Sequence, residues 1–85
     1  MMTDQEILEK IREIFSRNFN LKPDQVVETS RLYEELGLDS LDAVDLVIEL
    51  QEFTGKRIKP DVFKGVRTVA DVIRVVRDIQ AEGAA

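Results

Sequence analysis

The 85-residue sequence contains no cysteine, no histidine and no tryptophan. Without cysteine, the chain has no disulfide framework and no thiol chemistry of its own. Without histidine, it lacks the usual general base and the commonest metal ligand, which excludes a Ser-His-Asp hydrolase. The carboxylates of the second long helix, which form a solvated acidic stripe, include no obvious perturbed pair. We therefore expect that this chain is not an enzyme and holds no metal.

Long apolar runs are also missing, since no stretch approaches the roughly 20 residues that cross a bilayer. The acidic residues 1–6 lack the apolar core of a signal peptide, which predicts a cytoplasmic protein. The formal net charge of −5 disfavours nucleic acid as a ligand and favours basic protein partners. The length and the low aromatic content predict one small domain, residues 1–85, with an aliphatic core and a frayed tail over residues 81–85.

Two capping boxes mark the first and the last helix. Thr3 and Glu6 open the first, and Thr68 and Asp71 open the last, because such pairs can satisfy each other's backbone N–H groups at a helix start. Apolar residues then recur at helical spacing, which predicts one buried face in each helix. These faces comprise Ile7, Leu8, Ile11, Ile14 and Phe15 in the first helix, and Val69, Val72, Ile73, Val76 and Ile79 in the last.

The middle of the chain contributes one long helix and one short one. The long helix is predicted over residues 40–54, with Gly55 as its stop, and a short helix over residues 60–64 is opened by proline. Nothing alternates as a strand would. The sequence therefore predicts an all-α fold, a small bundle of three longer helices plus a short third helix. The long loop between the first and second long helices, residues 27–39, needs anchors, which we expect to be Leu32, Tyr33, Leu36 and Leu38.

The second long helix is apolar over more of its circumference than a core requires. At 100° per residue, with Leu41 at zero, its acidic residues fall in a sector from about 20° to 100°, and they are Asp42, Asp45, Glu49 and Glu52. Apolar residues cover roughly the other 240°, whereas a surface helix typically needs an apolar stripe of about 100°. Either neighbouring elements cover both flanks, or one flank is left exposed beside the acidic stripe for a partner.

Ser40 stands at the start of this helix, directly after Asp39. Free backbone N–H groups and the helix dipole favour an oxygen acceptor or a phosphate at such a position. Position alone favours a simpler interpretation, in which Asp39 or Ser40 is only an N-cap. Gly37, three residues earlier, either supplies a positive φ or belongs to an ordinary connecting loop.

The segment Leu36-Gly37-Leu38-Asp39-Ser40-Leu41-Asp42, followed by Val44-Asp45-Leu46-Val47, resembles the modification site of the acyl carrier proteins. The resemblance extends from the first helix to residues 68–73. It implies that Ser40 carries 4′-phosphopantetheine, which a phosphopantetheinyl transferase attaches from coenzyme A. The chain would then carry acyl intermediates as thioesters and present them to fatty acid, polyketide or specialised lipid biosynthetic enzymes.

The resemblance also implies where partners dock. Positions that match the family's partner-facing residues lie on the second long helix, beside the acidic stripe. The predicted docking set consists of Asp39, Leu41, Asp42, Val44, Asp45, Ile48, Glu49 and Glu52. The core positions of this helix would then be Ala43, Leu46, Val47 and Leu50. Enzymes with basic surfaces would dock against the set, and the carrier is expected to be a monomer.

One segment departs from the family pattern. Residues 55–67 hold five basic residues and one acidic residue, whereas residues 39–53 hold five acidic residues and no basic one. In the family, the region after the second helix is usually acidic as well. The basic segment, residues 55–67, either balances its acidic neighbour or excludes partners suited to uniformly acidic carriers. The second interpretation predicts that dedicated enzymes exist and that this carrier is a poor substrate for a generic fatty acid synthase.

A function of a different class stays open. An unmodified acidic helical module could dock a protein partner through the same second helix, with no prosthetic group. The mass of the intact protein after co-expression with a phosphopantetheinyl transferase distinguishes the two, because only a carrier gains the mass of the arm.

Overall fold

The computed structural model describes residues 2–83. Two short 3₁₀ helices, Pro23–Gln25 and Pro60–Phe63, lie in the connections between the longer elements. The predicted all-α fold, with three longer helices and a short helix before the last, is confirmed, and none of the helices described over residues 2–83 is long and apolar enough to cross a membrane. The three α-helices are α1 over Asp4–Phe19, α2 over Ser40–Thr54 and α3 over Val69–Gly83.

Reciprocal side-chain caps begin the first and last helices, as the sequence predicts. The Oγ1 atom of Thr3 accepts the N–H of Glu6 at 3.2 Å, and the carboxylate of Glu6 accepts the N–H of Thr3 at 2.8 Å. Thr68 and Asp71 make the same pair of bonds at 3.2 and 3.3 Å. Hydrogen bonds from the N–H groups of Arg67 and Thr68 lower the pKa of the Asp71 carboxyl below its ordinary value, because they stabilise its charged form.

The core is aliphatic, and Phe15 is its largest fully buried side chain. All the predicted apolar residues of α1 are buried, and so are those of α3 except Ile79, which packs against the core while partly exposed. Helix α3 continues to Gly83, so residues 81–83 are helical where a frayed tail was expected, and residues 84–85 lie outside the described residues. The basic segment also contributes buried residues that the sequence analysis missed, namely Ile58, Phe63 and Val66.

Leucine side chains hold the long loop against the bundle. Leu32, Leu36 and Leu38 are buried as predicted, but Tyr33 is 43% exposed, so its prediction as an anchor is wrong. The physical reason is that Tyr33 lines two surface grooves instead of the core. Val26, which directly precedes the loop, is fully buried.

Backbone hydrogen bonds tie the same loop to the start of α3. The N–H of Leu32 donates to the carbonyl of Arg67 at 2.8 Å, and the N–H of Val69 donates to the carbonyl of Ser30 at 3.0 Å. These bonds flank an isolated antiparallel bridge between Arg31 and Thr68. No sequence pattern predicted them, because backbone pairing of this length leaves no periodicity to detect. The loop that leads into α2 is thus fixed at both its side chains and its backbone.

Candidate functional site

Ser40 is the first residue of α2, and it is exposed. The N-cap is Asp39, whose Oδ1 atom accepts the N–H of Asp42 at 2.9 Å. The Oδ2 atom of Asp42 accepts the N–H of Asp39 at 3.1 Å in return. Asp39, rather than Ser40, therefore caps the helix. The Ser40 hydroxyl is left without a hydrogen bond inside the described region, residues 2–83.

The approach to Ser40 depends on a left-handed glycine. Gly37 has a φ of +72°, so the positive φ considered for this residue is present. Leu36 and Leu38 on either side of it are both buried, and the N–H of Leu38 donates to the carbonyl of Leu32 at 3.0 Å. A residue without a Cβ atom lets the chain turn between these two anchors at little cost. The turn delivers Asp39 to the N-terminus of α2.

A groove of about 350 Å³ opens beside Ser40, where α2 faces the long loop and the second 3₁₀ helix. We call it the serine groove. Its lining is largely apolar, and its one charged side chain is that of Lys64. A cation at the edge of an apolar groove suits a ligand with an anionic group and an apolar chain. Besides Ser40, the lining residues are Tyr33, Ala43, Val44, Val47, Phe63 and Lys64.

One flank of α2 is exposed, so neighbouring elements do not cover both flanks of the helix. Leu41, Val44 and Ile48 are 75%, 46% and 47% exposed. We call these three residues the apolar flank. The predicted core positions Leu46, Val47 and Leu50 are buried, but Ala43 is only half-buried. The core assignment of Ala43 is corrected on this point, because its side chain borders the serine groove.

The acidic stripe is less uniform than the helical wheel indicated. Asp45 and Glu52 are exposed, and neither forms an ion pair or a side-chain hydrogen bond within residues 2–83. Glu49 is instead engaged with α1, where its Oε2 atom accepts a hydrogen bond from the Arg17 guanidinium at 3.0 Å and its side chain is 23% exposed. Asp42 is engaged in the cap. Among the described residues, 2–83, no group of three or more carboxylates is arranged to hold a metal ion.

Four cations of the basic segment, residues 55–67, form no ion pair with α2 among the described residues. Arg57, Lys59 and Arg67 are exposed, and they form no ion pair within the described residues. Within residues 2–83, the one ion pair of Lys64 is with Asp61 of its own segment, at 3.8 Å between Nζ and Oδ1. For these four residues, charge balance by contact with the acidic stripe has no structural support.

Comparison with known proteins identifies the family. Residues 9–76 match the family model of the phosphopantetheine attachment site. Acyl carrier protein 2 of Ralstonia nicotianae is 59% identical over 80 residues, which are 94% of this chain and 99% of that protein. The acyl carrier protein of Saccharopolyspora erythraea is 34% identical over 80 residues, 94% of this chain and 84% of that protein. The crystal structure of an acyl carrier protein from Thermotoga maritima matches with a TM-score of 0.81 at 29% identity, covering 93% of this chain and 92% of that one.

The fold and the matched family define a small helical carrier that works through a phosphopantetheine arm. The chain belongs to the acyl carrier protein family. Its function is to carry acyl groups as thioesters on that arm, and its partners include a phosphopantetheinyl transferase and biosynthetic enzymes. The alternative of an unmodified interaction module is not favoured, because both the family match and the named relatives are carriers.

A substitution at Gly37 tests the geometry of the approach to Ser40. A Cβ atom at Gly37 would contact nothing within 4 Å, so the positive φ is the sole obstacle to a side chain there. We expect Gly37→Ala to lower the free energy of unfolding by about 1 kcal/mol, measured by urea denaturation. Gly65→Ala is the matched control, since Gly65 also has open space but no positive φ. Equal losses in the two variants would contradict this account.

Proposed function

We propose that Ser40 is the attachment residue of the phosphopantetheine arm, and that this chain carries its cargo while partner enzymes perform the chemistry. The observation that carries the proposal is the exposed Ser40 hydroxyl at the N-terminus of α2, next to a cap made by Asp39. The other serines are placed differently. Ser30 is buried, and its hydroxyl donates to a backbone carbonyl at 2.9 Å. Ser16 lies inside α1.

The residues around Ser40 fit a phosphodiester. The backbone N–H groups of Ser40 and Leu41 have no acceptor within residues 2–83, and such groups attract anions at a helix N-terminus. The carboxylates of Asp39 and Asp42 are absent from the groove lining, so an anion is favoured in the groove rather than beside the cap. When attached, the arm supplies the thiol on which acyl groups are carried.

The proposed docking surface combines the apolar flank with the neighbouring carboxylates. Its centre is Leu41, Val44 and Ile48, and the side chains of Asp45 and Glu52 are free to meet a basic enzyme surface. An apolar centre with a charged rim is the usual anatomy of a protein interface. Asp39, Asp42 and Glu49, which were predicted as docking residues, already have partners within the chain. We therefore assign them a weaker role, through their charge rather than through direct contact.

Removal of the Ser40 hydroxyl tests the attachment residue. With a phosphopantetheinyl transferase and coenzyme A, Ser40→Ala should gain no mass, measured on the intact protein. Its helicity should be unchanged, because Asp39 still caps α2. Ser16→Ala is the matched control and should be modified fully. A Ser40→Ala protein that acquires the arm would refute the assignment.

Charge reversal tests the docking surface. Asp45→Lys should slow association with the transferase by roughly three- to tenfold at low salt, because the attractive field at the interface is weakened. The difference should shrink as salt is added, since exposed charges are screened. Glu9→Lys makes the same change of charge at an exposed site on α1 and should have little effect on the association rate, measured by stopped flow. Equal slowing in both variants would show that net charge, not the docking surface, sets the rate.

We also propose that the basic segment selects partners, which would make this a specialised carrier. The support is that Arg57, Lys59 and Arg67 form no ion pair within residues 2–83, and that Lys64 pairs with Asp61 of its own segment. Their charges therefore remain available to a docked enzyme. A synthase surface that is basic throughout would be repelled by them. Like-charge contact is an effective way to reject a wrong partner.

A pair of matched lysines tests this selection. Lys59 and Lys22 are both exposed, and each directly precedes the proline that opens a 3₁₀ helix. Lys59→Glu should raise the turnover of this carrier by a generic fatty acid synthase, because it removes a repulsive charge. Lys22→Glu should not. If the wild-type carrier already serves that synthase as well as an acidic carrier does, the specialised role fails and ordinary fatty acid carriage is the better account.

A further inference from the structure

A second groove, of about 700 Å³, adjoins the serine groove. Tyr33, Phe63 and Lys64 line both, so a chain that is tethered at Ser40 and lies along the first groove arrives at the second. We call the second one the basic groove. Unlike the serine groove, it is lined by several charged side chains, which are those of Arg31, Glu34, Lys64, Arg67 and Asp71.

Both carboxylates in the basic groove are already occupied. The Oε2 atom of Glu34 accepts a hydrogen bond from the Arg31 guanidinium at 2.8 Å. The Oδ2 atom of Asp71 accepts the backbone N–H groups of Arg67 and Thr68 at 3.0 and 3.2 Å. The Arg31 charge offsets that of Glu34. Asp71 stays ionised, and the Arg74 guanidinium, 3.6 Å from its Oδ1 atom, offsets its charge.

Two cations of the groove are left available. The side chain of Arg67 forms no ion pair within residues 2–83. Lys64 has only its 3.8 Å contact with Asp61, and both of those side chains are largely exposed. The guanidinium of Arg67 offers planar, paired N–H donors that match a carboxylate, while Lys64 adds a point charge.

We propose that the basic groove binds a carboxylate at the far end of the acyl chain carried on Ser40. This inference rests on the proposed attachment at Ser40. The apolar part of the serine groove, at Val44, Val47 and Phe63, accommodates the methylene segment, and Lys64 and Arg67 receive the charged end. The preferred cargo is therefore the monothioester of a dicarboxylic acid rather than a methyl-ended acyl chain. Exposed ion pairs are individually weak, but the tether raises the local concentration of the carboxylate and makes such a contact effective.

The sign of a pKa shift provides the test. The protein carries a formal net charge of −5, so a carboxylate that merely lies near it should have a raised pKa. A carboxylate held by Lys64 and Arg67 should have a lowered one. Glutaryl, adipoyl and suberoyl coenzyme A, ¹³C-labelled at the free carboxylate, serve as donors from which the transferase attaches the acylated arm. The carboxylate is then titrated by NMR. For at least one chain length we expect a pKa about half a unit below that of the same thioester on free pantetheine.

Variants of the groove cations supply the controls. Lys64→Gln combined with Arg67→Gln should abolish the lowering. Arg57→Gln combined with Lys59→Gln removes two cations of the same segment that do not line the groove, and it should preserve the lowering. A pKa that is not lowered for any chain length in the wild-type carrier, or a lowering that survives in the first double variant, overturns the inference.

The mass of the intact protein, measured before each titration, separates this inference from the one on which it rests. If Ser40 gains no mass, the attachment proposal fails and the groove inference fails with it. If the mass is gained but the pKa is not lowered, attachment stands and only the groove inference fails.

Discussion

The reciprocal hydrogen bonds between Asp39 and Asp42 are the constraint on which the candidate site depends. A helix start needs acceptors for its free N–H groups, and a serine there usually becomes one of them. In this chain the two aspartates satisfy each other's N–H groups at 2.9 and 3.1 Å. The Ser40 side chain is therefore not needed as a cap, although Ser40 lies at the helix N-terminus, where an anion is favoured. The same two carboxylates place negative charge on the capping side, which leaves the serine groove as the favourable side for a phosphodiester.

The position of this cap depends on the long loop that precedes it. The loop is held by three buried leucines and by backbone bonds to residues just before α3. Residues of the long loop, of α2 and of the segment from the second 3₁₀ helix to the start of α3 together line the two grooves. The site is thus a product of the tertiary structure, although its central residue, Ser40, belongs to a short linear motif.

The sequence predicted those parts of the molecule that have a local physical signal. Helical spacing located the buried faces of α1 and α3. The positive φ at Gly37 was only one of two alternatives that the residue type left open. Long-range contacts carried no such signal. The Arg17–Glu49 ion pair joins residues that are 32 positions apart, and it withdraws from the acidic stripe a carboxylate that a helical wheel counts as free. Tyr33 was misassigned for the same reason, because an aromatic residue in a loop is consistent with either an anchor or a groove wall.

Val44 belongs both to the proposed docking surface and to the groove proposed for the cargo. This residue belongs to the apolar flank, where it is 46% exposed, and it also lines the serine groove. If an enzyme docks on the apolar flank, its contact surface includes a residue that also lines the serine groove, so the proposed docking surface and the proposed cargo site share Val44. A partner that binds the carrier equally well with the cargo in the groove and out of it cannot shift the position of the cargo. Only a partner whose affinity differs between these two states can do so. Under both proposals Val44 is a position where such a difference would arise, since an acyl chain in the serine groove would change what a docked partner contacts there.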